Sequence, residues 1–124
     1  MAPTEGASGR AELVVGEADT ALAAGSGDVP VLATPRVLAL AEQATVAALA
    51  GALEPGRTSV GAHVELDHLR PSFIGSRVRA QATLTGVRGR HLTFAVEVAD
   101  LDEAEPVARA SVTRVVVDRA AFTR

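Results

Sequence analysis

The feature that most constrains the fold is one long apolar segment with a clear boundary at each end. Thr34 is a favoured helix N-cap and Pro35 suits the first helical position, whereas Pro55-Gly56 ends the pattern. We therefore predict a helix from Pro35 to Ala52. Its polar residues are Arg36, Glu42, Gln43 and Thr45. With so few polar side chains, this helix is expected to be buried nearly all round.

After Gly56 the apolar residues follow the alternation that is typical of strands. Arg88-Gly89-Arg90 suits a tight turn between two of these runs. The predicted strands cover residues 12–18, 60–68, 78–84, 92–98 and 107–117. In the second of them, Val60, Ala62, Val64, Leu66 and His68 fall on one face. One helix covering the apolar face of an antiparallel sheet is an α+β arrangement of two layers.

Length and composition predict one globular domain. Residues 1–10 are rich in Gly, Ser, Ala and Pro and are assigned to a flexible tail, which leaves 11–124 as the domain. A net charge of −3 and only three aromatic residues argue against nucleic-acid binding. The absence of cysteine excludes disulfides and a thiolate nucleophile. Without a signal-like start or a long apolar run, we expect a cytoplasmic protein with no membrane partner.

Two polar side chains fall where packing alone does not explain them. At 100° per residue, Glu42 lies among the large aliphatic residues Leu38, Val46, Leu49 and Leu53. A carboxylate there has a desolvation cost that a proton or a hydrogen-bond donor must relieve. His68 shares its strand face with Leu66 and is expected to point toward the helix, whereas His63 points away. Both residues also have structural interpretations, as a bonded surface carboxylate and as a satisfied strand-end histidine.

Two segments carry a wider resemblance: VLATPRVLALAEQATVAALAGALEPGRTSVGAHVELDHLRPSFIGSRVRAQATLTGVRGRHLTF and ARASVTRVVVDRAAF. Over roughly residues 31–122 the chain resembles the fluoroacetyl-CoA thioesterase-like family of single-domain hotdog-fold proteins. The resemblance implies a hotdog fold, in which a curved antiparallel sheet of about five strands wraps one long central helix. The segment before Val31 does not match the aromatic-bearing lid of the fluoroacetyl-specific enzyme. The implied activity is therefore hydrolysis of a small acyl-CoA thioester, and fluoroacetyl specificity is not implied.

The resemblance also implies roles for five residues. Thr34, Glu42 and His68 would be catalytic: Glu42 would attack the carbonyl or activate water, His68 would transfer protons, and Thr34 would contribute its hydroxyl. Gly61 falls on a glycine beside the acyl group and Arg114 on an arginine of the last strand, so both are expected to bind substrate. The reaction needs no metal, and no cofactor beyond the coenzyme A of the substrate.

Thr34 and Glu42 lie eight residues apart, about 12 Å along a straight helix. They cannot both touch one carbonyl, so we expect a homodimer that completes the site across its interface. Two other functions compete with thioester hydrolysis. An enoyl-CoA hydratase needs Asp and His together, and Asp67 and His68 fall on opposite strand faces. A non-catalytic acyl-CoA or acyl-carrier binding module stays open.

Overall fold

A computed structural model describes residues 2–124. Five strands form one antiparallel sheet in the order β1-β3-β4-β5-β2, curled around a single long helix. The strands are β1 (Ser8–Val14), β2 (Arg57–His68), β3 (Arg77–Arg88), β4 (His91–Asp100) and β5 (Glu105–Asp118). The helices are α1 (Ala21–Ala24) and α2 (Thr34–Ala48), with 3-10 turns at Glu17–Asp19 and Arg119–Phe122. The predicted α+β hotdog arrangement is confirmed.

The core lies between α2 and the inner face of the sheet. Alternate residues of the neighbouring strands β3 and β4 supply eight of its buried side chains: Val78, Ala80, Ala82, Leu84, Leu92, Phe94, Val96 and Val98. These positions match the predicted alternation. The turn between β3 and β4 also falls where it was expected, with Gly89 at a φ of +62°.

Helix α2 is shorter than predicted. It begins at Thr34 and ends at Ala48, four residues before the expected end at Ala52. The chain then turns through Gly51, whose φ of +73° lies in the left-handed region that closes helices. The apolar run therefore continues past the helix, because Leu49 and Leu53 pack from the turn rather than from helical positions.

The small residues of α2 allow the sheet to come very close. A Cβ at Gly9 of β1 would overlap the backbone of Ala44 and Ala48, so strand and helix backbones are in contact there. The opposite side of α2 is open, with the Val46 side chain 53% exposed. The expectation of a helix buried nearly all round is therefore wrong, since the sheet curls around one side only.

The predicted boundary between the flexible tail and the domain, at residue 10, is wrong, because Gly9 already packs against α2. Strand β1 begins at Ser8 rather than at residue 12, and Ser8–Arg10, assigned to the flexible tail, pair with β3. The sequence suggested a tail because Ser8 and Gly9 are small. In the fold their small size serves contact with α2, and β1 becomes an edge strand of the sheet.

A bulge interrupts β2, the strand at the other edge of the sheet. Its register with β5 shifts between Gly61 and His63 and leaves Ala62 without an opposite residue. Because one extra residue reverses the alternation, Ser59 and Gly61 face α2 instead of Val60 and Ala62. Beyond the bulge the predicted faces hold, and His68 lies on the helix side.

Candidate active site

Thr34 and His68 meet where α2 begins and β2 ends. The hydroxyl Oγ1 of Thr34 lies 2.8 Å from Nδ1 of His68, a hydrogen bond between residues 34 positions apart. Thr34 was expected to be the helix N-cap, and this is wrong. The N-cap is Ala33, and no side chain caps this end. Because the helix starts one residue earlier than predicted, the Thr34 hydroxyl is free to bond the imidazole.

The His68 ring is half-buried, and its Nε2 atom has no hydrogen-bond partner within residues 2–124. Burial lowers the pKa of His68 below its usual value of 6.5, and the backbone of Arg70 partly opposes this shift. The ring is therefore mainly neutral at pH 7 and able to accept a proton. His63 is exposed on the other side of the strand, as predicted, with its Nε2 3.7 Å from Glu65.

A cavity of about 340 Å³ adjoins this pair. Thr34 and His68 form part of its wall, and most of the remaining lining is apolar or small, including Val29, Val31, Leu69 and Gly27. An apolar cavity with a few convergent polar groups is the usual character of a small-molecule site.

The Glu42 carboxylate accepts a hydrogen bond from Arg114, which supplies the donor expected for a carboxylate among apolar residues. Nη1 of Arg114 lies 3.3 Å from Oε2 of Glu42, with the Arg114 side chain 8% exposed and that of Glu42 33% exposed. Burial lowers the pKa of Arg114, and the neighbouring charge of Glu42 opposes the shift. Gly61 lies against the same carboxylate, since a Cβ there would overlap Oε2 of Glu42.

Ser59 and Thr45, which were not predicted as site residues, also accept hydrogen bonds from Arg114. Its Nε donates to Oγ of Ser59 at 2.9 Å, and its Nη2 donates to the Ser59 carbonyl at 3.1 Å. Nη1 also lies 3.5 Å from Oγ1 of Thr45. Uninterrupted alternation along β2 would place Ser59 on the outer face, and the bulge brings it to the inner face instead. Thr45 carried a signal, because it is polar and one helical turn beyond Glu42.

The five predicted site residues thus fall into two groups. One contains Thr34 and His68, and the other contains Glu42, Gly61 and Arg114. Within the described chain no hydrogen bond joins the groups, in keeping with the distance expected along α2. Asp67 is exposed on the strand face opposite His68, so these two do not form a pair.

An antiparallel sheet of five strands curled around one long helix is the hotdog fold found in thioesterases. The chain belongs to the fluoroacetyl-CoA-specific thioesterase family, which matches it over residues 15–120. It is an acyl-CoA thioesterase, a hydrolase of thioester bonds. The family predicted from sequence is confirmed. No helix among the described residues is long and apolar enough to cross a membrane.

Solved structures agree with this assignment. A Thermus thermophilus protein described as a thioesterase superfamily member is 25% identical, with a TM-score of 0.89 over 97% of this chain and 88% of its own. The fluoroacetyl-CoA thioesterase is 27% identical, with a TM-score of 0.87 over 96% and 91%. A Haemophilus influenzae thioesterase is 25% identical, with a TM-score of 0.73 over 88% and 71%. A comparison with curated proteins gave no match.

Proposed function

We propose that this thioesterase hydrolyses a small acyl-CoA, using Thr34, Glu42 and His68, and that it works as a cytoplasmic homodimer. The observation that carries the proposal is the 2.8 Å hydrogen bond between Thr34 and His68 beside an apolar cavity. A neutral imidazole with an unpaired Nε2 suits proton transfer to and from a substrate. An acyl-CoA substrate also fits the cytoplasmic location expected from the sequence.

The chemistry requires a nucleophile, a proton carrier and a group that stabilises the oxyanion. In one route the Glu42 carboxylate adds to the thioester carbonyl and displaces CoA, and water then hydrolyses the resulting acyl–Glu42 anhydride, which restores the carboxylate. In the other route Glu42 takes a proton from the attacking water, and the tetrahedral intermediate then breaks its C–S bond. The proton that the attacking water loses is passed through His68 to the CoA thiolate, so the imidazole ends in its neutral form. The Thr34 hydroxyl is a donor suited to the oxyanion. In both routes, water and thioester become a free acid and CoA.

The proposed dimer would unite the two groups of site residues. Strand β2 lies at the edge of the sheet, and edge strands are commonly covered by pairing with another chain. Glu42 sits on the open side of α2 beside the exposed Val46, so this side also needs cover. We infer that Glu42 of one subunit approaches Thr34 and His68 of the other. Light scattering that showed a stable monomer at micromolar concentration would overturn this arrangement.

The small acyl group is suggested by the solved relatives. The fluoroacetyl-CoA thioesterase has been solved with fluoroacetate and CoA, and a variant of it with acetyl-CoA. In this chain Phe94 is in the core, and the segment from Ala21 to Val31 contains no aromatic residue. We therefore expect acetyl-type substrates without strong preference for the fluorinated form.

The test is a steady-state assay of free thiol release from CoA esters of increasing acyl length, including acetyl-CoA and fluoroacetyl-CoA. We expect turnover that declines with chain length and is abolished in Glu42→Gln. Saturable binding of acyl-CoA without thiol release would support the binding module instead. Hydration of an enoyl-CoA in place of hydrolysis would support the hydratase.

A further inference from the structure

We propose that Ser59 is a positioning residue of the active site, which orients the guanidinium of Arg114 and, through it, the carboxylate of Glu42. The inference rests on the proposed role of Glu42. It assigns Arg114 primarily to holding Glu42 in place, and it gives a role to a serine that uninterrupted strand alternation would place on the outer face.

The guanidinium of Arg114 is held by acceptors along both of its edges. Arginine has five N–H donors in a rigid plane, and four of those of Arg114 point at named acceptors. The Nε and Nη2 edge is held by Ser59 alone, through its hydroxyl at 2.9 Å and its carbonyl at 3.1 Å. The remaining two bonds come from Nη1, to Glu42 at 3.3 Å and to Thr45 at 3.5 Å. Since the group is planar, fixing one edge fixes the direction in which Nη1 meets Glu42.

The Arg114 side chain is 8% exposed, so its charge is held largely away from water and depends on these acceptors. Hydrogen bonds that involve an ionised partner are shorter and stronger than neutral ones, particularly where solvent is excluded. Ser59 therefore holds a cation whose direction decides where the Glu42 carboxylate can lie.

The backbone of β2 shapes the surroundings of both Arg114 and Glu42. The bulge at Ala62 brings Ser59 and Gly61 onto the inner face, two residues apart. One of them supplies acceptors for Arg114, and the other leaves space for the carboxylate, because a Cβ at Gly61 would overlap Glu42. Bulges are frequent beside active sites, where they redirect side chains. One strand, β2, therefore contacts both members of the ion pair, Arg114 through Ser59 and Glu42 through Gly61.

The experiment compares Ser59→Ala with Ser59→Thr, which keeps the hydroxyl, and with Thr58→Ala as the matched control. Thr58 is the neighbouring hydroxyl residue and alternates to the opposite strand face. We expect Ser59→Ala to lower kcat about ten-fold or more with KM changed less than about two-fold, as for the loss of one charge-assisted bond. Ser59→Thr should restore kcat, and Thr58→Ala should match the wild type. Equal kcat in Ser59→Ala and wild type would overturn the proposal.

A double-mutant cycle separates positioning from general damage. In an Arg114→Met background the guanidinium is absent, so Ser59→Ala should lower kcat no further. The same fractional loss in both backgrounds would mean that Ser59 acts independently of Arg114, and the proposal would be wrong. Glu42→Gln distinguishes the two hypotheses. If it remains active, the proposed function fails, whereas an inactive Glu42→Gln with a harmless Ser59→Ala defeats only the positioning role.

Discussion

The Thr34 hydroxyl lies 2.8 Å from Nδ1 of His68, although the two residues belong to different elements and are separated by 34 positions. This bond aligns the imidazole at the start of α2. It places a hydroxyl donor and a proton carrier side by side at the wall of the cavity.

His68→Ala should lower turnover by a factor on the order of 10²–10⁴, as for other positioned acid–base groups. His63→Ala is the matched control, because its ring is exposed and points away from the helix. It should leave both turnover and stability near wild type. Steady-state kinetics with a short acyl-CoA checks both variants, and similar behaviour of the two would contradict the assigned faces.

Thr34→Ala should lower kcat about 10²-fold, the usual loss when one oxyanion donor is removed. Its stability should change by less than about 0.5 kcal/mol, because the hydroxyl does not cap α2 and an ordinary N-cap would contribute about 1 kcal/mol. Thr34→Ser retains the hydroxyl and should keep most of the activity. A large drop in the free energy of unfolding of Thr34→Ala, measured by urea titration, would restore the capping interpretation.

Glu42→Gln should lower turnover on the order of 10³-fold or more, because the amide can neither attack nor accept a proton. An unpaired carboxylate in an apolar stripe would gain stability from this change. Here the buried Arg114 loses its counter-charge, so we expect a small destabilisation of at most about 1 kcal/mol at this partly exposed pair. Thermal unfolding and thiol release should be measured on one preparation. Higher stability in the variant would contradict the assigned pairing.

Gly61→Ala should displace the Glu42 carboxylate and lower kcat on the order of 10²-fold, the effect of misplacing a catalytic group by about 1 Å. Gly86→Ala is a matched control in β3, because its Cβ would meet only Thr93, at an ordinary 3.9 Å. That variant should remain active. The kinetics of the two alanine variants decide the matter, since a normal kcat in Gly61→Ala would show that the carboxylate has room to move.

Stability should depend on pH through His68. Because its folded-state pKa lies below the unfolded value of 6.5, the unfolded chain binds the proton more readily as the pH falls. The contribution of the neutral ring is complete above pH 6.5 and is lost as the pH falls through the folded-state pKa. Urea unfolding between about pH 5 and 8 measures this slope, which His68→Asn should reduce. An unchanged slope in the variant would assign the dependence to other groups.

Local pattern predicted the five strands and the long helix, and it singled out Glu42 and His68 as polar residues that packing alone does not explain. Helix start signals identified the beginning of α2 to within one residue, and alternation identified the inner faces of β3 and β4. Both succeed because backbone geometry repeats at fixed intervals along the chain. The spacing of Thr34, Glu42 and His68 identified the family, which the comparisons confirmed.

Only the tertiary structure decided which residues meet. The bulge at Ala62 has no local signature, and by reversing alternation it brings Ser59 and Gly61 to the inner face. The donor of Glu42 is Arg114, 72 positions away, and pairing across such a distance depends on strand register rather than on neighbouring residues. The sequence by itself thus determined the elements and the chemical groups available to them. The packing of β2 against β5 and α2 determined the partners, because contacts between distant residues exist only once the sheet has formed.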